Sequence, residues 1–216
     1  MEFKELALVF EAMESKTSRL ALTDDLANLF KKCSHDEYKQ VVYLIQGVVA
    51  PSFKGVELGM AAKLAEQSIS LVSGKSISEI EALFRKTGDL GDAAEKILSD
   101  KRQSSLAASV LSVNKVYENF YKIAVASGTG SQNTKIKLLA ELLSNASPRD
   151  AKILVRFVIG SLRLGVGDST ILDSLSFVAK GDKSLRVELE RAYNLSSDLG
   201  LVAETFLTRG LDEVKK

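Results

Sequence analysis

The chain has 216 residues, 45% hydrophobic and 26% charged, with 29 basic against 28 acidic side chains and a formal net charge of +1. That balance supports a buried core and excludes a disordered chain. It also excludes a protein that gathers polyanions by bulk charge, so any such partner must be met by local patches. At 23.4 kDa the chain makes one domain or two small ones.

The opening MEFKELALVFEAMES carries acidic residues early and no cleavage site, unlike a secretory signal. KTSRLALTDD then places Lys16, Ser18 and Arg19 at a turn, and Leu26, Leu29 and Phe30 recur at helical spacing. Cys33 is the only cysteine, which excludes an intramolecular disulfide and suits a reducing compartment. Cys33-x-His35, with no further Cys or His, cannot close a zinc site. Ser34-His35-Asp36-Glu37 reads as a capping box ahead of the stripe Val41, Val42, Leu44, Ile45 and Val48. A loop, APSFKGVELG, follows. Ser76-Ile77-Ser78-Glu79 is a second capping box, and Ser147-Pro148-Arg149-Asp150 a third, with proline where its missing N–H costs nothing. Ile153, Leu154, Phe157 and Val158 make the next stripe. Strand-like alternation is absent, and no apolar run approaches the ~20 residues that span a bilayer. The expected fold is all-α, with roughly ten to twelve helices of about 11 residues.

The chain also repeats itself. DLGDAAEKIL (89–98) returns as DLGLVAETFL (198–207), six of ten positions identical, 109 residues on. Shifted by 113, Ser18–Gly47 lies on Ser131–Gly160 with eight identities in thirty: Ser18/Ser131, Leu26/Leu139, Ala27/Ala140, Leu29/Leu142, Ser34/Ser147, Lys39/Lys152, Val42/Val155 and Gly47/Gly160. Ordinary residue usage would give about two. Gly59 and Leu64 match Gly167 and Leu172 at an offset of 108, so the first copy's loop carries five extra residues. The period is too long for a solenoid. The expectation is a pseudo-two-fold repeat with halves of about 1–100 and 114–210.

Gly-bearing turns before helices leave unpaired backbone N–H groups and a partial positive charge, which bind anions without net basic charge. Two such turns are SGTGSQNTK (127–135), with Thr129, Ser131 and Lys135, and LRLGVGDST (162–170), with Arg163 before two glycines. In the latter, Asp168, Ser169 and Thr170 are candidate caps. A duplex presents two antiparallel phosphate strands, to which a protein with its own pseudo-dyad can offer equivalent helix starts. Catalytic patterns fail. Ser73-Gly74-Lys75-Ser76 has Ile69 where a P-loop needs glycine. Gly128-Thr129-Gly130 has neither the strand before nor the third glycine of a dinucleotide fingerprint. His35 has no nucleophile beside it, and Glu11, Glu14, Glu79 and Glu81 read as solvated faces.

FEAMESKTSRLALTDDLANLF, YLIQGVVAPSFKGVELGMAAKL, TGDLGDAAE, VYENFYKIAVASGTGSQNTKIKLLAELL and VIGSLRLGVGDSTILDSL, in that order and over nearly the whole chain, resemble one family. It is the N-terminal DNA-binding domain of ATP-dependent DNA ligases of the archaeal and eukaryotic replicative type. The resemblance implies an all-helical domain, one unit over 1–216, that holds nicked double-stranded DNA from the minor-groove side. Contacts to sugar and phosphate position the duplex without reading its sequence. It implies work beside an adenylation domain and an OB-fold domain, in replication, repair and recombination. The DNA-binding residues it implies are Arg19, Thr129, Gly130, Ser131, Lys135, Arg163, Leu164, Gly165, Val166, Gly167, Asp168, Ser169 and Thr170. Arg19 and Arg163 would meet phosphates, Gly165 and Gly167 would let backbone approach, and Ser169 and Thr170 would help present helix N–H groups.

The chain departs from whole ligases in lacking the Lys-x-Asp-Gly motif that takes up AMP; Lys180-Gly181-Asp182-Lys183 lacks the final glycine. It ends at LDEVKK, about where an adenylation domain would begin. The expectation is therefore no catalysis, no cofactor and no metal in this chain, with ATP and Mg implied for the full ligase. In KRQSSLAASVLSV, Gln103 and Leu106 fit a sliding-clamp motif loosely, without its paired aromatics. No membrane partner is expected, and the implied location is cytoplasmic on the nucleoid if archaeal, nuclear if eukaryotic. A different class of reading is a helical protein–protein scaffold of ligase ancestry.

Overall fold

The computed structural model describes residues 1–99 and 110–215, and those residues form thirteen α-helices. They are α1 (Phe3–Glu14), α2 (Arg19–Phe30), α3 (Tyr38–Gln46), α4 (Ala62–Ser73), α5 (Ile77–Thr87), α6 (Leu90–Ser99) and α7 (Val113–Val125). The rest are α8 (Ser131–Asn145), α9 (Pro148–Val158), α10 (Asp168–Lys180), α11 (Arg186–Ser196), α12 (Leu199–Arg209) and α13 (Leu211–Val214). The all-α expectation holds, with one short helix more than its upper bound. β pairing among the described residues is a single bridge between Glu2 and Ser112.

Local chemistry sets most boundaries. Ser76 and Ser147 each form both halves of a capping box, with Glu79 and Asp150 respectively, and Pro148 opens α9. Ser18 and Ser112 cap α2 and α7 through their hydroxyls, and Asp198 caps α12 through its carboxylate. The box expected at Ser34 forms only in part. Ser34 N–H donates to Glu37 Oε2 at 2.8 Å, but the Ser34 hydroxyl donates to Asp36, and α3 begins at Tyr38. A carboxylate two residues on competes with the helix for the hydroxyl.

The chain divides into two compact units that do not follow the halves read from the repeat. Unit 1 comprises Met1, Leu8–Val56 and the chain from Arg163 onward; unit 2 comprises Glu2–Ala7 and Glu57–Leu162. Each unit therefore draws on both copies. In unit 1, α2 packs on α10 and α3 on α12, while α10, α11 and α12 pack on one another. In unit 2, α8 packs on α4 and α9 on α6, while α4, α5 and α6 pack on one another. The wiring is the same: the front of one copy is completed by the back of the other.

This explains why DLG occurs twice. A Cβ at Gly200 of α12 would lie 2.5 Å from Tyr43 Cε1 and 3.1 Å from Lys39 Cγ. A Cβ at Gly91 of α6 would lie 2.7 Å from Arg156 Cγ and 2.8 Å from the Lys152 carbonyl. Lys39 and Lys152 are repeat equivalents, as are Tyr43 and Arg156. Glycine sits where two helices cross too closely for any side chain. The preceding aspartates anchor the same crossings: Tyr43 OH donates to Asp198 Oδ1 at 2.8 Å, and Arg156 Nε donates to Asp89 Oδ1 and Oδ2 at 3.0 and 3.1 Å.

Each unit has its own apolar interior. Leu26, Phe30, Val41, Leu44, Leu172 and Phe206 are buried in unit 1; Phe3, Ile69, Ile80, Leu90, Leu139 and Phe157 are buried in unit 2. Phe120 stacks on Phe157 with centroids 4.5 Å apart, a geometry worth about 1 kcal/mol beyond burial.

Candidate functional site

The residues singled out by sequence fall into two groups, one in each unit. Thr129, Gly130, Ser131 and Lys135 belong to unit 2, at the start of α8. Gly130 is the N-cap and supplies no side-chain acceptor, so the first turn has no side-chain cap from that position, and Ser131 N–H donates to the Gly128 carbonyl at 3.2 Å. A surface depression of about 340 Å³ lies there, lined by Gly128, Gly130, Ser131, Gln132 and Asn133. Thr129 and Gly130 are exposed, Ser131 and Lys135 half-buried.

Arg19 and the segment Arg163–Thr170 belong to unit 1, where α2 packs on α10. Arg163 is exposed and makes no ion pair with any described residue. Gly165 takes φ +67°, a left-handed conformation that side-chain-bearing residues avoid. A Cβ at Gly165 or Gly167 would meet nothing within 4 Å, so the backbone there is open to approach. Leu164 and Thr170 are buried, so the Thr170 hydroxyl is turned from solvent; Gly165 and Gly167 are exposed, while Val166 and Ser169 are half-buried. Gly167, not a polar side chain, is the N-cap of α10. The cap expected from Asp168 does not form, because its carboxylate is taken. It accepts from Gln46 Nε2 at 2.8 Å and from Tyr193 OH at 2.7 Å. Burial, then that bond and the charges of Asp168 and Asp198, push the Tyr193 phenol up to about 12, so it stays a donor.

Arg19 does not stand alone. Its Nη2 donates to Asp173 Oδ2 at 2.7 Å and lies 3.4 Å from the Ser169 carbonyl. Lys183 Nζ donates to the same Oδ2 at 3.0 Å, and Arg186 Nη1 to Oδ1 at 2.9 Å. Burial pushes the Asp173 carboxyl up, but hydrogen bonds from Lys183 and Arg186 and the charges of Arg19 and Lys183 outweigh it and hold it below the usual carboxylate range. Sequence reasoning missed Asp173, Lys183 and Arg186. The available signal was a charged residue inside the apolar run of α10, where Ile171, Leu172 and Leu175 are also buried.

Other chemistry-bearing residues are used structurally. Cys33 is buried and its thiol is pushed up to about 12, first by burial and then by Glu37, which removes the thiolate reactivity needs. His35 stacks on Tyr38 with centroids 6.1 Å apart. Among the described residues no three His, Cys, Asp or Glu side chains gather as a metal site, and no helix is long and apolar enough to cross a membrane.

Residues 2–176 match the family described as DNA ligase N terminus. The chain belongs to that family. It is 47% identical over 216 residues to a DNA ligase of Nitrosopumilus maritimus (strain SCM1), with all of this chain and 37% of the ligase covered. It is 45% identical over 215 residues to a DNA ligase of Cenarchaeum symbiosum (strain A), covering all of the chain and 36% of the ligase. It is also 45% identical over 227 aligned residues to one of Staphylothermus marinus, covering all of the chain and 38% of that protein. The chain thus spans 36 to 38% of these curated relatives. In this member of the ligase N-terminus family, Lys180 ends α10 and Gly181, Asp182 and Lys183 lie in the link to α11, with Lys183 paired to Asp173. Gln103 and Leu106, the loose clamp motif, lie outside the described residues.

Proposed function

We propose that this chain binds nicked duplex DNA without reading its sequence, as the non-catalytic DNA-binding part of an ATP-dependent ligase acting in replication, repair and recombination. Arg19 and Arg163 hold phosphates from unit 1, together with backbone of Leu164–Thr170. Thr129, Gly130, Ser131 and Lys135 hold phosphates from unit 2 through the open start of α8. The duplex is met on its minor-groove side, and adenylation and OB-fold domains complete the enzyme. The setting is the cytoplasm, on the nucleoid, in an archaeal cell, or the nucleus in a eukaryotic one.

The observation that carries the reading is the pairing of family membership with two helix starts that lack side-chain caps, α8 and α10, each flanked by exposed basic or hydroxyl groups. Uncapped amides and a helix dipole favour anions, and arginine adds a planar fork suited to phosphate. The residues nearest to nucleotide motifs do not fit ATP or Mg²⁺. Ser76 caps α5 and Lys75 pairs with Glu79, so Ser73–Ser76 is used to start a helix and not to cradle phosphates. ATP and Mg²⁺ are assigned to the remainder of the ligase.

Anisotropy of two labelled nicked duplexes of unrelated sequence tests this. Equal affinities that fall steeply with salt are expected, with a log–log slope near −0.9 per phosphate met. Absence of binding, or binding indifferent to salt, would overturn it. A second reading, a protein-contact surface, rests on Val187 and Leu195 of α11, which are exposed beside a shallow groove lined by Glu188, Arg191, Ala192 and Val214. Salt-indifferent binding to a protein partner would favour it.

A further inference from the structure

We propose that Lys183 is a phosphate-binding residue, held beside Arg19 by Asp173 as a two-cation seat for one backbone phosphodiester of the duplex. This rests on the DNA-binding reading above and extends it to a residue outside the turns that sequence pointed to.

Three cations from three parts of unit 1 converge on one carboxylate: Arg19 from α2, Lys183 from the α10–α11 link and Arg186 from α11. They are not equivalent. Arg186 is mostly buried, donates also to the Ser169 carbonyl at 3.1 Å, and is neutralised at its far end by Glu190 at 2.9 Å. Arg186 takes Oδ1 of the buried Asp173, whose side chain is 2% exposed, and leaves Oδ2 to Arg19 and Lys183 together. Two cations on one oxygen are one more than it needs, and their side chains are 53% and 48% exposed. Both reach the same oxygen, Oδ2, so the two positive heads sit side by side at the surface with one shared anion beneath them. Counting Glu190, the cluster holds three cations against two carboxylates and keeps a net positive charge.

The seat is built before any ligand arrives. The link carrying Lys183 is tied down by the Ser176 hydroxyl, which donates to the Asp182 carbonyl at 2.6 Å and accepts from Leu185 N–H at 3.1 Å. Asp182 Oδ1 accepts from Ser184 N–H at 2.8 Å. A lysine on a fixed link has less freedom to lose on binding. An ammonium uses one donor on Asp173 and keeps two; the Arg19 fork keeps most of its five. A phosphodiester oxygen placed between the heads relieves their mutual repulsion and takes charge-assisted hydrogen bonds from both.

The test uses the full chain and a labelled nicked duplex, read by anisotropy across a salt series, with a thermal melt of each variant. Lys183→Gln is expected to weaken binding several-fold and to flatten the log–log salt slope by about one unit, as Arg19→Gln does, with a melt that superimposes on the parent's. Lys183→Arg should restore the slope. If the parent binds and Arg19→Gln flattens the slope while Lys183→Gln matches the parent, the proposal is overturned and the DNA reading stands. If the parent fails to bind duplex, both fall.

Discussion

Unit 1 and unit 2 share a wiring diagram and spend their charge at different crossings. In unit 2 the charged crossing is α6 on α9. Arg156 reaches Asp89 and Asp92, and Lys152 reaches Asp92 and Glu95, with the two basic side chains only 13% and 16% exposed. Three acids meet two bases there. In unit 1 the equivalent crossing, α3 on α12, is held by a neutral donor, Tyr43 on Asp198. Unit 1 instead concentrates charge where α2 meets α10, and there bases exceed acids and stand half in solvent. At the equivalent point of unit 2, repeat positions Gln132 and Ala65 replace Arg19 and Asp173. A network whose bases are buried and outnumbered fixes helices; one with exposed bases in excess is available to an anion.

That contrast can be broken at several points. The largest effect is expected from Arg156→Leu, which takes a two-point guanidinium contact from Asp89, a side chain only 25% exposed, and leaves it the Asp92 N–H. It should cost about 3 kcal/mol in a urea titration, whereas Arg19→Gln should cost less than about 1 kcal/mol because Arg19 is half-exposed and Lys183 still donates to the same Asp173 oxygen. Comparable losses would mean that both networks are structural.

Asp173→Asn should cost about 2 kcal/mol at neutral pH by removing the charge and one of the two acceptor oxygens that three cations share. Because the folded-state value of Asp173 is depressed, its contribution is fully present above the unfolded value near 4 and disappears as pH falls through the depressed value. Parent and variant melts should therefore converge in acid. A constant difference down to strongly acidic pH would contradict the charged role.

The glycine pair sharpens the comparison next. Gly91→Ala drives a Cβ against the Lys152 carbonyl, which cannot turn aside, and should cost about 2 kcal/mol. Gly200→Ala drives a Cβ to 2.5 Å from the Tyr43 ring, which is buried and held by its bond to Asp198, and should also cost about 2 kcal/mol. A cost near zero at either glycine would show that its crossing is looser than the distances indicate.

A smaller effect has the opposite sign. Glu66 of α4 is buried, its Oε2 has no hydrogen-bond partner, and burial first, then the charge of Glu81, raise its carboxyl against the pull of Lys63. A raised carboxyl favours the fold in acid and loses that contribution as pH rises through the folded value. Glu66→Gln should therefore stabilise unit 2 at pH 7 by about 1 kcal/mol, with the gain gone by about pH 4. A thermal melt at the two pH values reads this directly.

Much of this was legible in the chain because its causes are local. The Ser76 and Ser147 boxes, the proline opening α9 and the stripe Leu26–Leu29–Phe30 are decided within four residues, and the structure contains them. Ser34 misled because Asp36 offers its hydroxyl a nearer acceptor. The repeat was readable; the exchange of partners between its copies was not, since an offset counts residues and cannot say which copy's α2 meets which copy's α10. For the same reason Arg19 could be named while its partner Asp173, 154 residues away, could not. Lys183 meets Asp173 only because the α10–α11 link turns back on the helix, a contact that nothing in the string Lys180-Gly181-Asp182-Lys183 encodes.

The central claim is that exposed arginines of unit 1 hold DNA phosphates. Its most direct test is the salt dependence of nicked-duplex binding by the parent chain and by the Arg19→Gln/Arg163→Gln double variant. A slope reduced by about two units, with the fold intact, is the outcome expected. A double variant whose slope and affinity equal the parent's would contradict the account.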